Sequence, residues 1–311
     1  MQAVTPSQET AERILQFLLP QIKKHQTRRE MTGSRKPFIF GLTGLQGSGK
    51  STLAAALVNT LSAIYGFRTI TISLDDFYQT WKDRNALRVS QPSNDLLRVR
   101  GQPGTHDIEL AEWFFSQFTT ETVPKQIGIP IFDKSFFDGD GDRLPPSLWK
   151  HVEAEPPVDV VVFEGWCLGF QPLSKDALQR RWSDAMESQT LEKAKMLSNH
   201  SLEDLIFVNE NLAIYCAHFM GPQHLDCLVG LDAMDLFNVY IWRQQQEDVL
   251  RRTKGSGMTD EQVIQFVDGY MPAYELYLDS LREGFFPKGS QKLQLHVLLN
   301  EQRTVTKMEP L

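Results

Sequence analysis

The sequence contains few cysteines. Cys167, Cys216 and Cys227 are the three among 311 residues, and their spacing matches neither a CxxC pair nor a set of zinc ligands. A small, odd number of cysteines does not suggest a disulfide framework of the kind that small secreted domains need. We therefore expect a protein of a reducing compartment.

Excess positive charge and long apolar runs are also missing. The chain carries 32 Lys and Arg against 39 Asp and Glu, a net charge of −7, whereas proteins that bind nucleic acid usually present a basic face. No apolar run is long enough to cross a bilayer, and the first residues lack the basic-then-apolar order of a targeting peptide. We expect a small-molecule protein that binds neither nucleic acid nor membrane. Its expected location is the cytoplasm, with the nucleus as a second compartment, and its expected state is a monomer or small homo-oligomer.

Hydrophobic residues make up 41% of the chain, which suffices for one large core. Five β-rich runs alternate with helical patterns, and they read FIFGLT, RTITISL, VDVVVFE, LDCLVGL and LQLHVLL. Strands separated by helical segments predict an α/β fold, with a mostly parallel sheet between helices in three layers. VDVVVFE is apolar without alternation, as expected for a strand covered on both faces.

The chain is predicted to divide near residue 35. Residues 1–35 form an N-terminal helix and connector, with Thr5 as the N-cap, Pro20 as a kink or an end, and the connector starting near Thr27. Residues 36–311 form the main domain.

Two additions to the main domain are predicted. A helical insertion covers about 173–217, where the sequence is charged and helix-prone. A long helix over Met234–Lys254 ends at Gly255 and Gly257. Because GSGM is a flexible joint, residues of about 243–260 are predicted to form a lid.

A glycine-rich motif follows the first strand. Gly44, Gly49, Lys50 and Ser51 match G-x-x-x-x-G-K-[ST], the phosphate-binding loop of P-loop NTPases. Its backbone amides and the N-terminus of the next helix cradle phosphate, Lys50 reaches the β- and γ-phosphates, and Ser51 binds Mg²⁺. The predicted ATP-binding loop is Gly44, Leu45, Gln46, Gly47, Ser48, Gly49, Lys50, Ser51 and Thr52.

Carboxylates end two neighbouring strands, where ligands bind in open α/β sheets. Glu164 ends VDVVVFE and is the predicted second Mg²⁺ residue. Asp75 and Asp76 end RTITISL, and a carboxylate there can orient and deprotonate an attacking hydroxyl. Arg100 and Lys134 are cations in loops, able to engage an anionic acceptor.

Seven motifs, taken in their order along the chain, resemble the plant D-glycerate 3-kinase family and its fungal ATP-dependent kinase relatives. They are GLQGSGKST, SLDDFY, RGQPGTHD, IPIFDKS, VVFEGW, YIWRQQQE and GMTDEQV. The resemblance covers about residues 36–303. It implies a P-loop kinase of the phosphoribulokinase, uridine kinase and pantothenate kinase group, Mg²⁺-ATP as donor and a small hydroxyl-bearing acceptor.

The resemblance also implies residue roles. Asp75 matches the catalytic base, and Arg243, Arg251 and Arg252 fall in or near the lid helix. Arg251 is the predicted catalytic lid arginine, and Arg252 is predicted to contact ATP. The predicted acceptor-side residues are Asp75, Tyr78, Arg100, His106, Asp107, Lys134, Arg143 and Arg243.

The leading hypothesis is therefore an ATP-dependent kinase of D-glycerate. Pantothenate-like or nucleoside-like acceptors are alternatives. A nucleotide-dependent switch or assembly factor is the alternative from another class, although the chain lacks the N/T-K-x-D tetrapeptide with which GTPases read guanine.

Overall fold

A computed structural model describes residues 8–120, 124–187, 196–255 and 257–311. Its strands are β1 Phe38–Gly44, β2 Thr69–Ser73, β3 Gln126–Ile129, β4 Phe132–Asp133, β5 Asp142–Arg143, β6 Lys150–Glu153, β7 Val160–Gly165, β8 Cys227–Ala233, β9 Leu293–Leu299 and β10 Val305–Pro310. The main sheet has the order β10-β9-β8-β1-β7-β2. All its neighbours are parallel except β10, which pairs antiparallel with β9.

The five predicted strands are confirmed as the parallel part of the sheet. The register pairs Glu164 of β7 with Leu42 of β1 on one side and with Ser73 of β2 on the other. The carboxyl ends of these three strands therefore lie side by side.

The edge strand β10 and the small strands were not predicted. β10 reads VTKMEP, and most of its residues are partly or fully exposed, so it lacks the apolar run that marked the buried strands. β3 pairs with β6 and β4 with β5, which gives two small antiparallel ribbons. Their two to four residues are too few to show a periodic pattern.

Helices cover the sheet on both faces. They are α1 Gln8–Thr32, α2 Lys50–Ala63, α3 Trp81–Ser90, α4 Ile108–Ser116, α5 Lys175–Glu187, α6 Leu202–Tyr215, α7 Asn238–Lys254, α8 Asp260–Asp268 and α9 Met271–Glu283. The predicted insertion contains α5 and α6, and its residues 188–195 lie outside the described part of the chain. No helix in the described ranges combines the length and the hydropathy needed to span a membrane.

The N-terminal helix is longer than predicted. α1 continues through Pro20 to Thr32, so Pro20 does not end it and the connector does not begin at Thr27. Its buried face, which includes Ile14, Leu18 and Ile22, lies on both sides of Pro20 and packs against α2, β1 and β8. This packing outweighs the local cost of proline, which is exposed here. The predicted N-cap Thr5 lies outside the described residues.

The predicted end of the long helix is confirmed. α7 ends at Gly255, which adopts φ 74° and ψ 1° as a left-handed C-cap. Its start is four residues later than predicted, at Asn238. Thr259 and Gln262 then form a capping box at the start of α8. α7 and α8 pack against each other. The predicted lid, about 243–260, covers the end of α7 and the start of α8.

Pro20→Ala is expected to stabilise the protein by about 1–3 kcal/mol, because alanine restores the missing backbone N–H in a helix that already continues through this position. Urea unfolding measures the change. Gln16→Ala, at an exposed site one turn earlier, is the control and should have little effect. A loss of stability for Pro20→Ala would contradict this account of α1.

Candidate active site

The phosphate loop is positioned by contacts at both of its ends. The Leu45 amide donates to the Leu231 carbonyl of β8 over 3.2 Å, and Gly49, at φ 93°, is the N-cap of α2. Gly47 has φ 78°, and a Cβ built there would lie 2.5 Å from Cβ of Trp242 on α7. The loop therefore requires glycine at position 47 for its conformation and for its packing.

Lys50, Ser51 and Glu164 meet at the carboxyl ends of β1 and β7. The Lys50 ammonium donates to the carbonyls of Gly44 and Leu45 over 2.7 and 3.1 Å, and the Ser51 hydroxyl lies 3.3 Å from Oε1 of Glu164. Burial lowers the pKa of Lys50, whereas the carboxylates of Glu164 and Asp75 raise it. The cation and the two acids are thus close enough to affect one another electrostatically.

The two adjacent aspartates have different structural roles. They lie in a single 3₁₀ turn, Leu74–Phe77, whose N-cap is Ser73. Oδ2 of Asp76 accepts from the Ser73 amide over 3.1 Å and Oδ1 from the Phe132 amide over 3.4 Å. Burial raises the pKa of Asp76 to about 6. Asp76 therefore holds the turn, which leaves Asp75 as the carboxylate presented at the sheet edge.

Asp75 is paired with a cation from the loop after β4. Lys134 donates to its Oδ2 over 2.5 Å, and the side chains are 55% and 28% exposed. Burial raises the pKa of Asp75, but the charge and the hydrogen bond of Lys134, with a hydrogen bond from Tyr78, leave the pKa below its usual value. Asp75 is therefore an ionised carboxylate at neutral pH, as a general base must be.

Five of the predicted acceptor-side residues form a connected cluster around Asp75, and they are Tyr78, His106, Asp107, Lys134 and Arg143. The His106 ring stacks on the Tyr78 ring with centroids 4.3 Å apart. Asp107, the N-cap of α4, accepts from the Leu110 amide through Oδ1 and from Arg143 through Oδ2, the latter over 2.5 Å. The cluster thus contains carboxylates, cations and a neutral ring in contact with one another.

The side chain of Arg100, which was predicted to engage an anionic acceptor, contacts backbone carbonyls in this structure. Its guanidinium donates to the carbonyls of Gly139 and Asp140, the latter over 2.8 Å, and it lies over the Phe132 ring. It therefore fixes the loop that carries Lys134. Its proposed contact with the acceptor remains a prediction.

The predicted lid arginines lie apart from the cluster around Asp75. Arg251 pairs with Asp248 over 2.6 Å and with Asp260 over 2.8 Å, and Arg252 is exposed. Arg243 differs from both, because its backbone borders Gly47 while its side chain pairs with Glu247. Arg243 is thus beside the phosphate loop in this conformation.

Sequence reasoning missed three residues that contact the site. The Tyr274 hydroxyl accepts from the Gln46 amide over 3.1 Å, and the Tyr270 hydroxyl lies 3.4 Å from the Arg100 carbonyl. Arg303, in the turn after β9, donates to the Gly47 carbonyl over 2.7 Å. No local motif marks these residues, since each is far in sequence from the loop it supports.

The residues present suit a nucleoside triphosphate with its metal ion. Glycines form a phosphate-binding backbone loop, and the ammonium of Lys50 contacts two carbonyls of that loop. The Ser51 hydroxyl and the Glu164 carboxylate, 3.3 Å apart, offer the oxygen ligands that Mg²⁺ prefers. The ionised carboxylate of Asp75 lies in the turn after β2, at the same edge of the sheet. The fold and the site together define the class as a P-loop kinase.

Comparisons with known proteins agree with this class. No protein-family model matches the chain. It is 35% identical over 274 residues to the chloroplastic D-glycerate 3-kinase of Arabidopsis thaliana, which covers 87% of this chain and 54% of the plant protein. It is 36% identical over 254 residues to a Saccharomyces cerevisiae protein named as a probable ATP-dependent kinase, with 80% of each covered. The solved D-glycerate 3-kinase from Cryptococcus neoformans has a TM-score of 0.84 and 34% identity, over 98% of this chain and 100% of that one.

The chain therefore belongs to the family of D-glycerate 3-kinases and fungal ATP-dependent kinases. It is an ATP-dependent phosphotransferase, and the resemblance drawn from its motifs is confirmed.

Gly47→Ala is expected to weaken ATP binding by at least about tenfold, because the new methyl group clashes with Trp242 and strains the loop. Isothermal titration calorimetry measures the dissociation constant. Gly66→Ala is a matched control, since Gly66 has a similar φ of 70° but open space around it. Equal ATP affinity for both variants would contradict the proposed requirement for close packing at Gly47.

Proposed function

We propose that the enzyme transfers the γ-phosphoryl group of Mg²⁺-ATP to a hydroxyl of D-glycerate, giving 3-phosphoglycerate. The observation that carries the proposal is the ionised Asp75 carboxylate, which lies near Lys50 of the phosphate loop and Glu164 at the end of β7. A carboxylate in this place is needed to activate an alcohol, whereas a nucleotide-dependent switch does not need one. The names of two relatives support glycerate as the acceptor.

The donor side of the reaction is assigned to the phosphate loop. Residues from Gly44 to Thr52 hold the phosphates by backbone amides, and Lys50 neutralises charge on the transferring group. Ser51 and Glu164 would hold Mg²⁺. The metal ion, when bound, offsets the negative charge of the phosphates. Arg251 and Arg252 are proposed to contact the nucleotide after lid movement, which requires Arg251 to leave Asp248 and Asp260.

The acceptor side is assigned to the cluster around Asp75. Asp75 accepts the proton of the attacking hydroxyl. The hydroxyl oxygen forms a bond to the γ-phosphorus, and the bond between the γ-phosphorus and the bridging oxygen breaks and releases ADP. Lys134 and Arg143 supply positive charge for a carboxylate. The remaining proposed contacts with the acceptor are Tyr78, Arg100, His106, Asp107 and Arg243.

The test is ADP release with Mg²⁺-ATP and a panel of D-glycerate, L-glycerate, pantothenate and uridine. D-glycerate is expected to be the acceptor, and ³¹P NMR should identify 3-phosphoglycerate. Asp75→Asn should lower kcat by at least about 100-fold, because the general base is lost, while ATP affinity stays unchanged. If only another acceptor of the panel supports turnover, the proposal of glycerate as the substrate is wrong and that acceptor takes its place. Background turnover with every acceptor, but stimulation by a protein partner, would favour a switch.

Lys134→Ala is expected to move the acid limb of the kcat profile to higher pH. Burial of Asp75 raises its pKa and persists in the variant, whereas the lowering by Lys134 is removed. Because the base must be ionised, less of the variant is active at acidic pH. Lys134→Arg keeps a cation and is the control. An acid limb that does not move would show that Lys134 does not set the ionisation of the base.

A further inference from the structure

The hydroxyl of Tyr215, at the end of α6, lies among three nitrogen atoms of the loop before α4. The amides of Gly104 and His106 donate to it over 2.7 and 2.9 Å, and Nδ1 of His106 lies 3.1 Å away. Tyr215 and His106 are 0% and 2% exposed, so both are shielded from bulk water.

Counting hydrogens fixes the state of the His106 ring. A tyrosine hydroxyl has one proton and two acceptor positions, and the two amides occupy both acceptor positions. The Tyr215 O–H must therefore donate to Nδ1, which places the ring proton of His106 on Nε2. Burial also lowers the pKa of His106 to about 3, so the ring is neutral.

Nε2 of His106 is a buried donor without a hydrogen-bond partner among the described residues. The ring is held by stacking on Tyr78 and by an edge contact with Tyr215, with centroids 4.3 and 5.4 Å away. Asp75 is near enough to raise the pKa of His106. A buried donor of this kind is costly unless a partner is supplied, and the partner available beside Asp75 is the acceptor.

We propose that Tyr215 is a positioning residue, whose hydroxyl holds His106 in the Nε2–H form so that Nε2 donates to an acceptor oxygen next to the hydroxyl facing Asp75. This rests on the proposed function, since it needs an oxygen-rich acceptor at that place. A neutral donor suits the position, because an imidazolium beside Asp75 would weaken the base. The helical insertion thereby contributes to the acceptor site through α6.

The tautomer can be measured without any substrate. Long-range ¹H–¹⁵N NMR of the full chain labelled at histidine should show a pyrrole-type Nε2 and a pyridine-type Nδ1 for His106 in wild type. His106→Gln identifies the signals. In Tyr215→Phe the Nε2–H preference should be lost. A proton on Nδ1 in wild type, an imidazolium, or an unchanged tautomer in Tyr215→Phe would overturn the proposal.

Kinetics then test the link to the acceptor. Tyr215→Phe should raise the KM for D-glycerate by about tenfold, as expected when a specific hydrogen bond is lost, and leave the KM for ATP unchanged. Tyr277→Phe is the matched control, because it removes another buried hydroxyl, one that contacts Asn209 of α6 over 3.2 Å.

Two variants of His106 test whether the Nε2–H donor itself binds the acceptor. His106→Leu, which has no donor, should raise the KM for D-glycerate more than His106→Gln, which keeps an amide N–H. Equal effects of Tyr215→Phe and Tyr277→Phe, or an unchanged KM in Tyr215→Phe, would overturn the proposal. If wild type does not use D-glycerate, the proposed function fails while the NMR measurement still decides the tautomer.

Discussion

The site depends on the register of three parallel strands. Glu164 pairs with Leu42 on one side and Ser73 on the other, so the phosphate loop after β1, the acid of β7 and the aspartates after β2 leave the sheet together. A slip of one residue would turn the side chains of a strand to its other face and separate the cation from the acids. The apolar packing of β7, whose residues from Val160 to Phe163 are fully buried, excludes such a slip.

Charges near this edge are held in pairs before any substrate binds. Asp75 pairs with Lys134, and Asp107 with Arg143. The pairing with Lys134 keeps Asp75 ionised in a partly buried setting, because it lowers the pKa that burial alone would raise. It also means that an anionic acceptor would find cations already near the base. Segments far apart in the sequence come together here, including α6, whose Tyr215 contacts His106.

Local motifs predicted the parts of the site that depend on neighbouring residues. The phosphate loop, Glu164 at a strand end and the C-cap at Gly255 each follow from a short pattern with a physical cause. The same patterns could not reveal Tyr215, Tyr270 or Arg303, because their roles arise from contacts over 100 or more residues of sequence.

Two errors in the fold have the same origin. Pro20 was expected to kink or end α1, but the helix continues to Thr32 because tertiary packing holds it on both sides of the proline. The edge strand β10 has a polar composition, so its sequence does not predict a strand. Its backbone pairing with β9 makes it part of the sheet. The family resemblance selected Asp75 rather than Asp76, and the capping contacts of Asp76 supply the physical reason that the motif alone did not give.

The central claim is that the Asp75 carboxylate, in the turn after β2 at the same sheet edge as the phosphate loop, activates the acceptor alcohol. A crystal structure with Mg²⁺, a non-hydrolysable ATP analogue and D-glycerate tests it most directly. The account predicts triphosphate on the loop, with the acceptor hydroxyl within hydrogen-bond distance of Asp75 and in line with the γ-phosphorus. An acceptor hydroxyl bound away from Asp75 in the closed complex would contradict it.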